Sequence, residues 1–480
     1  MEQVINTISG WVWSPALVAI CLLAGLYFSI GTRFVQVRRF GEMAKLLFST
    51  DKTQKTGITS FQAFSMALSG RVGTGNIVGV ATAIGYGGPG AIVWMWIIAF
   101  LGAGSAFSEA TLAQIYKEEH KGQFRGGPAY YIEKGLHSKW LGVVFAITAV
   151  LAAGFCLPPV QSNGIALSVA NTFDVNPAIV GGVVALLIGI VVIGGVNRIA
   201  NVAQIVAPFM ALLYILLSIV VLIVNAEVVP SVFMDMIRGT VGMQQALGGI
   251  LGSTIAWGVK RGIYSNEAGQ GTGAIVAGAA KVSHPVKQGL VQAFSVYIDT
   301  LMVCTATAVM ILACKTYNVF DASGNLLFSA NGMDMGAPGV SYTTAALGTL
   351  LGVKTGGIIV SIALFFFAFT TIMAYYYYAE TNLVYLFGKG KREQALIWVL
   401  RIGVVVMVFF GSLYEAKSMW DLGDIGVGAM AWINIIAILL LSRKAFKALR
   451  SYERQKKEGK DPVFDPKEIG VEGADFWESR

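Results

Sequence analysis

The sequence predicts an all-α polytopic membrane protein with eleven transmembrane helices. Only 13% of the 480 residues are charged and 55% are hydrophobic, whereas a soluble domain carries about 25% charged residues. Eleven apolar runs are long enough to cross roughly 30 Å of hydrocarbon. Two of these runs contain a glycine-rich polar interruption, at corresponding places in the two halves of the chain. Disorder, a coiled coil and an ordinary soluble enzyme are excluded by this composition.

The first predicted helix covers residues 13–32 and stands apart from the rest. The head of the chain, Met1-Glu2-Gln3, has no basic region, so we expect this run to stay in the membrane instead of being cleaved as a signal peptide. The ten later runs divide into two sets of five. Because five is odd, the two sets cross the membrane in opposite directions. Their predicted ranges are 58–86, 89–116, 140–158, 178–196 and 202–225, then 244–281, 287–314, 354–387, 394–413 and 419–442.

The basic residues predict the orientation of these helices. With the N-terminus outside, 27 of the 35 Lys and Arg residues fall on the cytoplasmic side and four on the outside, as the positive-inside rule requires. We therefore expect a multi-pass protein of the cell membrane with a cytoplasmic C-terminus. The net charge of +8 follows from this asymmetry, and no nucleic-acid partner is needed to explain it.

The same pattern divides the chain into four parts. A leading helix with an amphipathic cytoplasmic connection is predicted over 1–56, the two five-helix repeats over 57–226 and 227–442, and a solvated tail over 443–480. The four cysteines lack any CxxC spacing and the three histidines lack ligand spacing. We therefore expect neither a disulfide framework nor a bound metal cofactor.

The two interruptions are the candidate functional site. They read SGRVGTGN over 69–76 and SNEAGQGTG over 265–273. Glycine lets a helix unwind, and unwound backbone is tolerated at membrane depth only where it lines a polar site. Each half-helix start offers N–H groups to a carboxylate, and the unwound carbonyls suit a small cation such as Na⁺. Broken helices in inverted halves therefore predict the site of a secondary transporter for a zwitterionic amino acid.

An alternative is that these glycines serve only close packing between helices. That role would explain scattered glycines such as Gly102, but it would not explain why glycines cluster with Arg71, Asn76, Glu267 and Gln270 at membrane depth. A channel remains an alternative, although two unlike broken helices are not the repeated ring of a selectivity filter. A membrane enzyme is a weaker alternative, because no HExxH motif or nucleophile elbow is present.

At these residues the sequence resembles the alanine/glycine:cation symporter family, also called the sodium:alanine symporters. The resemblance rests on GGPGAIVWMW over 87–96, FRGGPAYY over 124–131 and the two interruptions. It covers nearly the whole chain, including DPVF at 461–464. Two positions depart from the family pattern: Val93 stands where an aromatic residue is usual, and the second interruption ends in Thr272-Gly273-Ala274 without the usual proline.

This resemblance implies the leucine-transporter fold, which has ten core helices in a 5+5 inverted repeat whose first and sixth core helices are discontinuous. It also implies sodium as the coupling ion and alanine or glycine as the substrate. Glutamine or another neutral amino acid, or proton in place of sodium, are the alternatives within the same fold. No further cofactor is implied, and no bond of the substrate changes, so the protein is not expected to be an enzyme.

The resemblance also assigns roles to residues. Sodium is expected to bind the carbonyl groups of Ser69, Val72 and Phe367 and the hydroxyl groups of Thr370 and Thr371. Asn266 and Glu267 are expected to cap half-helix ends, although Glu267 could instead meet the substrate amine. The expected substrate contacts are Arg71, Thr74, Gly75, Asn76, Gln161, Gln270, Gly271, Thr272 and Gly273.

Ionisable residues inside membrane helices are functional candidates because each is costly to insert. Asp299 is expected to pair with Arg71 or to take part in proton movement. Glu109 and Glu380 are expected towards cytoplasmic helix ends, where solvation or a gating ion pair would serve them. Lys260, Arg261 and Arg401 complete the set.

Overall fold

The computed structural model describes residues 2–49, 51, 56–241, 251–321, 323–332, 335–388 and 390–479. Within these residues the chain is mostly helical, as predicted, with two small antiparallel hairpins that the sequence did not predict. The first part has four helices: α1 (Glu2–Val12), α2 (Pro15–Gly31), α3 (Val35–Arg38) and α4 (Phe40–Leu46).

The first repeat begins with a broken helix, α5 and α6, and ends with α12. Its elements are α5 (Ser60–Arg71), a 3-10 turn (Thr74–Asn76), α6 (Val78–Gly87), α7 (Gly90–Ile115), β1 (Glu118–His120), β2 (Gln123–Arg125), α8 (Pro128–Leu136), α9 (Lys139–Leu151), a π-helical segment (Ala152–Cys156), α10 (Leu157–Phe173), α11 (Pro177–Ile193) and α12 (Gly195–Val224).

The second repeat also contains a broken helix, α14 and α15, and the tail follows it. The elements are α13 (Val229–Thr240), α14 (Leu251–Asn266), α15 (Thr272–Ala279), α16 (Pro285–Val296), a π-helical segment (Tyr297–Cys304), α17 (Thr305–Ala313), β3 (Asn318–Phe320), β4 (Leu326–Ser329), α18 (Val340–Leu351), α19 (Val353–Phe387), α20 (Glu393–Gly411), α21 (Ala416–Lys457), α22 (Pro466–Ile469) and α23 (Asp475–Glu478). The start of the predicted 244–281 run, residues 244–250, lies outside the described residues.

Eight helices in the described part of the chain are long and apolar enough to cross a membrane. Three further predicted spans have a different form, because one is an apolar helix of 17 residues and two are the broken helices. The count of eleven and the four-part division therefore stay predictions. The membrane candidates are Thr7–Gly31, Gly90–Ile115, Lys139–Phe173, Gly195–Val224, Pro285–Ala313, Val353–Phe387, Glu393–Gly411 and Ala416–Lys457.

Two helices are longer than the membrane spans predicted for them. The run predicted over 140–158 continues to Phe173, because the π-helical segment Ala152–Cys156 precedes Pro158 and Pro159, which then occupy the first turn of α10. Proline is tolerated at a helix start, where its missing N–H has no partner to lose. The last run, predicted over 419–442, extends as one helix to Lys457, since its last turns carry charged residues that water solvates.

The first broken helix has a defined start and a defined break. A capping box starts α5: Thr59 Oγ1 accepts from Gln62 N, and Gln62 Oε1 accepts from Thr59 N. After Arg71 the backbone becomes extended at Val72 and Gly73.

Beyond the two breaks, the backbone of Ile58 pairs with the end of α15 through Ala279 O (3.0 Å) and Lys281 N (2.9 Å). The start of α5 and the end of α15 are therefore joined at the ends that lie away from the two breaks, on the predicted cytoplasmic side.

The tail packs onto this same end of the helices. Phe464 N donates to Ser283 O at 3.0 Å, and Trp477 Nε1 donates to Gln114 O at 2.8 Å. Lys287 Nζ lies 2.7 Å from Asp461 Oδ1. The prediction of a purely solvated tail is therefore wrong in part, because the segment from Asp461 to Glu478 buries apolar side chains such as Phe464 and Trp477.

His284 lies beneath this tail and is fully buried. Its Nδ1 accepts from Val286 N at 3.3 Å and caps α16, and its ring contacts those of Tyr452 and Phe464. Burial, and secondarily the positive charge of Lys287, lower the pKa of His284 to about 3 from its usual 6.5. Only the neutral imidazole can accept the Val286 N–H, so the fold requires His284 to be uncharged.

We therefore expect the stability of the protein to fall with pH in a defined interval. Between about pH 6.5 and about pH 3 the unfolded chain protonates His284 while the folded chain does not, so the loss approaches about 1.4 kcal/mol per pH unit from this group. Thermal unfolding in detergent at pH 7.5 to 4.5 measures it. His284→Asn keeps a capping acceptor without a titrating group and should show a flatter profile. An equally steep profile in that variant would contradict the assignment.

Candidate functional site

The first break is held open by side chains from other helices. Gly73 N donates to Asn76 Oδ1 at 2.8 Å, and Thr74 N donates to Gln161 Oε1 at 2.9 Å. Gln161 is the fifth residue of α10 and lies well inside the continuous span Lys139–Phe173, which explains how it reaches the break. A Cβ atom on Gly73 would lie 2.6 Å from Thr371 Oγ1 and 2.7 Å from Gln161 Oε1. Only glycine therefore lets α10 and α19 approach the unwound backbone this closely.

Four oxygen atoms converge beside this break. Thr371 Oγ1 on α19 lies 2.7 Å from Ser69 O, 3.1 Å from Val72 O and 2.9 Å from Phe367 O. All four residues are buried. A hydroxyl group has one proton to donate, so it cannot satisfy three carbonyl oxygens at once. A cluster of uncharged, hard oxygen ligands with unmet lone pairs is suited to a small monovalent cation.

Thr370 does not belong to this cluster. Its Oγ1 donates back to Phe366 O at 2.9 Å and Phe367 O at 3.0 Å, and it contacts Met210 Sδ at 3.7 Å. This is ordinary back-bonding of threonine within a helix. Consecutive helical residues point in directions about 100° apart, so one of two adjacent threonines faces the break and the other faces α12. The structure thus brings together four of the five predicted sodium residues.

The second break contains three residues with positive φ, Glu267 (57°), Gly269 (85°) and Gly271 (88°). Gln270 Nε2 folds back to Ile263 O at 2.6 Å. Asn266 Oδ1 accepts from Ala268 N at 3.0 Å inside the break, whereas the N-cap of α15 is Gly271, so the expected capping of a half-helix end by Asn266 is not seen. Thr272 and Gly273 then begin α15. Across the site, a Cβ on Gly75 would lie 3.3 Å from the ring of Tyr264, so the two breaks are in close contact.

Arg71 joins the two breaks. Its Nε donates to Asn266 O at 2.6 Å, and its Nη1 contacts Gln292 Oε1 (3.3 Å) and Ser295 Oγ. Only 2% of the residue is exposed. A Cβ on Gly273 would lie 2.5 Å from Arg71 Nη2, so the guanidinium also lies against the first turn of α15. Arg71 therefore links α5 to the end of α14 and to α16.

Asp299 is not paired with Arg71, contrary to the expectation from sequence. No ion pair joins them among the described residues. Instead the carboxylate accepts from Asn76 Nδ2 at 2.7 Å, from Ser265 Oγ at 3.0 Å and from Thr300 Oγ1 at 2.7 Å. One donor comes from each break and one from the π-helical segment. The wide turn of that segment carries Asp299 towards both breaks, and there the neutral donors take the place of a cation.

Glu109 and Glu267 are two further buried carboxylates. Glu109 lies towards the end of α7, as expected, but it is fully buried and accepts from Gly271 N at 3.2 Å and from Asn434 Nδ2 at 2.8 Å, so neither solvation nor an ion pair among the described residues serves it. Glu267 accepts from Tyr378 Oη at 3.1 Å. Glu109 is the one ionisable residue in α7, and a single carboxylate in an otherwise apolar helix marks it as a functional candidate in the sequence. Tyr378 and Asn434 carried no recognisable signal.

Ion pairs lie on both sides of the breaks. On the α14 side, Arg261 donates to both oxygens of Asp424 at 3.0 and 2.9 Å, and Lys260 Nζ lies 2.6 Å from the same carboxylate. On the opposite side, Arg125 Nη2 lies 2.6 Å from Glu380 Oε1. Both clusters are buried under aromatic rings. The first cluster links α14 with α21 within the second repeat, and the second cluster links β2 of the first repeat with α19 of the second.

We expect Asp424→Asn to destabilise the protein strongly, because it leaves two buried cations without their shared counter-charge. Removing one partner of a buried pair costs on the order of 3–5 kcal/mol. A lower midpoint of thermal unfolding in detergent measures the loss. Glu415→Gln, at the exposed start of the same helix, is the matched control. Equal midpoints for both variants would contradict the importance of this cluster.

Comparison with known proteins gives a consistent result. A family model described as the sodium:alanine symporter family matches residues 1–466. A putative sodium/proton-dependent alanine carrier protein of Bacillus subtilis, YrbD, is 53% identical over 100% of this chain and 98% of its own. The probable sodium/glutamine symporter GlnT of the same organism is 42% identical over 97% and 93%. The sodium/alanine symporter AgcS of Methanococcus maripaludis is 38% identical over 94% and 98%.

Solved structures show the same fold at low sequence identity. The structure of MhsT in complex with L-phenylalanine superposes with a TM-score of 0.51 at 14% identity, covering 82% of this chain and all of that chain. A manganese transporter of Eremococcus coleocola gives 0.52 at 12% identity, covering 88% and 94%. At this identity the likeness concerns the fold alone, and it supports the leucine-transporter fold that the family resemblance implied.

Proposed function

This chain belongs to the sodium:alanine symporter family, and we propose that it is a secondary active symporter that imports alanine or glycine together with sodium. It is a multi-pass membrane transporter, not an enzyme. The observation that carries the proposal is the convergence of the Ser69, Val72 and Phe367 carbonyl groups on the Thr371 hydroxyl group. These oxygens come from the first break and from α19, so a cation held there would fix the two against each other.

The amino acid would bind beside this cation, between the two breaks. The C-terminal ends of α5 and α14 carry partial negative charge and the starts of α6 and α15 carry partial positive charge. A zwitterion complements such an arrangement, with its carboxylate towards Thr74 and Gly75. Gln270, Gly271, Thr272 and Gly273 would line the other side. Ser265 and Tyr264 face Gly75 closely, which favours a small side chain.

Transport would require the two buried ion-pair clusters to open in turn, one on each side of the breaks. In the orientation proposed from the basic residues, with the N-terminus outside and the C-terminus in the cytoplasm, the Arg261–Asp424 cluster closes the outer path and the Arg125–Glu380 pair closes the inner path. Alternating access requires one of them to separate while the other stays closed. The inward sodium gradient of the cell membrane would supply the driving force.

A second candidate is the same mechanism with glutamine as the cargo. The 42% identity to a probable sodium/glutamine symporter favours it. The second break, where Thr272-Gly273-Ala274 lacks the proline that is usual in the family, leaves the choice of substrate open. A larger pocket would be required, so competition experiments separate the two.

The test is uptake of radiolabelled L-alanine by purified protein in liposomes, with sodium outside and potassium inside. Glycine, D-alanine and glutamine serve as unlabelled competitors. Concentrative uptake that needs sodium and is blocked by glycine is the expected result. Competition by glutamine alone, with no alanine uptake, would shift the assignment to the second candidate. Accumulation that is unchanged when choline replaces sodium would overturn sodium coupling.

A further inference from the structure

The centre between the two breaks holds more negative than positive charge. Glu109, Glu267 and Asp299 are each at most 1% exposed, and Arg71 is the cation that acts on all three. None of the four forms an ion pair within bridging distance in the described parts of the chain. The four half-helix ends do not correct the imbalance, because two partial positive ends offset two partial negative ends. The formal charge of the empty centre is therefore −2.

The proposed ligands neutralise only half of this excess. A neutral amino acid is a zwitterion and adds no net charge. One sodium ion at Thr371 adds one positive charge, so one negative charge remains uncompensated. A buried unpaired charge is strongly unfavourable, and such a group binds a cation or a proton instead. The loaded centre therefore needs one more positive charge.

The hydrogen bonds indicate which carboxylate takes it. Both oxygens of Asp299 accept from neutral donors, which stabilise the ionised form in place. Glu267 accepts from Tyr378 and is next to the unwound backbone, where a substrate amine would lie. Glu109 differs, because both of its hydrogen bonds fall on Oε2, whereas Oε1 is buried and has no partner.

We propose that Glu109 is a proton-binding site and that it is protonated when the centre holds sodium and an amino acid. The inference rests on the proposed function and names the second cation of the same centre. A carboxyl group protonated at Oε1 keeps both recorded bonds, since its carbonyl oxygen Oε2 still accepts from Gly271 and Asn434. A second sodium ion would need several oxygen ligands, whereas a proton needs the single unpartnered oxygen that Glu109 offers.

The surroundings of Glu109 supply few other charges. Arg71 on α5 and Tyr131 on α8 act on it electrostatically. Of the elements packed against α7, α21 presents Asn434 and the start of α15 presents the Gly271 amide. Lys260 and Arg261 on α14 are paired with Asp424, and Asp299 in the π-helical segment accepts from neutral donors. α2 contains no ionisable side chain other than those of Cys21 and Tyr27, and Lys287 on α16 is paired with Asp461 at the tail. Among the described residues, the groups hydrogen-bonded to Glu109 are therefore neutral, and none of them is a titratable base.

Protonation of Glu109 would act directly on the second break. Glu109 holds Gly271 N, the amide at which the second break ends and α15 begins. An ionised Glu109 would hold this amide more tightly and would draw Arg71 away from Asn266 O. A neutral Glu109 leaves Arg71 free to bridge the breaks. The proton would thereby favour the arrangement that binds the amino acid.

The test compares the pH dependence of alanine binding in sodium for the purified protein, for Glu109→Gln and for Glu133→Gln. Glutamine mimics the neutral carboxyl group. Glu133 accepts from Tyr385 at 2.6 Å outside the centre and serves as the matched control. We expect the affinity of the wild type and of Glu133→Gln to fall, by up to tenfold per pH unit, at the alkaline end of pH 5.5–9.5. The alanine affinity of Glu109→Gln should not change over this pH range. A cooperative thermal unfolding transition with a midpoint close to that of the wild type shows that the variant is folded.

Three outcomes would overturn the proposal. One is a wild-type affinity that does not change with pH. Another is a Glu109→Gln variant that retains the wild-type pH profile, which would locate the proton elsewhere. The third is a folded Glu109→Gln variant that binds no alanine at any pH, which would show that the ionised form is required. If the wild type binds no amino acid in sodium at any pH, the proposed function itself fails and this inference falls with it.

Discussion

Replacing Arg71 by alanine is expected to abolish amino-acid uptake and to lower the free energy of unfolding by on the order of 3–5 kcal/mol. The change removes the guanidinium group that acts on three buried carboxylates and leaves Asn266 O without its 2.6 Å donor. It also separates α5 from α16. Sodium-driven uptake in liposomes and thermal unfolding in detergent measure the two effects on the same preparation.

Arg71→Lys is the informative companion. Lysine keeps the charge but loses the planar fork that reaches Asn266, Gln292 and Ser295 together. We expect it to recover much of the stability and little of the transport. Full transport with lysine would show that Arg71 serves as a charge alone. Wild-type transport with alanine would contradict the account of how the breaks are joined.

Replacing Thr371 by alanine is expected to raise the sodium concentration for half-maximal uptake at least tenfold, which corresponds to about 1.4 kcal/mol of lost binding free energy. The change deletes the hydroxyl oxygen on which three carbonyl oxygens converge. The dependence of uptake on sodium concentration, at saturating alanine, measures it. The maximal rate at high sodium should fall much less than the sodium affinity.

The adjacent threonine provides the control. Thr370 bonds back to its own helix and faces α12. Thr370→Ala should therefore leave the sodium affinity within about twofold of the wild type, because a back-bonded hydroxyl group supplies no ligand oxygen to the cluster. Thr371→Ser keeps the hydroxyl oxygen and should restore most of the affinity. If Thr370→Ala were the variant that lost sodium affinity, the proposed ion site would be in the wrong place.

The sequence located the two breaks because they depend on local chemistry. Glycines beside polar residues inside apolar runs have a direct meaning in a membrane, and the runs over 69–76 and 265–273 unwind where predicted. The sodium residues were assigned by resemblance to a family. The structure brings four of the five together, and their role stays a proposal.

The remaining features could not be read from the sequence, because they depend on packing between distant segments. Asp299 is satisfied by neutral donors from both breaks and not by Arg71. Glu109 meets Gly271 across 162 residues of chain. The choice between Thr370 and Thr371 depends on the rotation of α19, which an apolar run does not specify. The π-helical segment before Pro158 likewise left no periodicity signal strong enough to extend the predicted helix.

The central claim is that the two breaks form one centre in which sodium and an amino acid bind together. Equilibrium binding of L-alanine to the purified protein, measured with sodium and with choline at constant ionic strength, tests it most directly. Because coupling between two ligands is reciprocal, sodium should raise alanine affinity, and alanine should raise sodium affinity by the same factor. Alanine affinity that is equal in sodium and in choline would contradict the account.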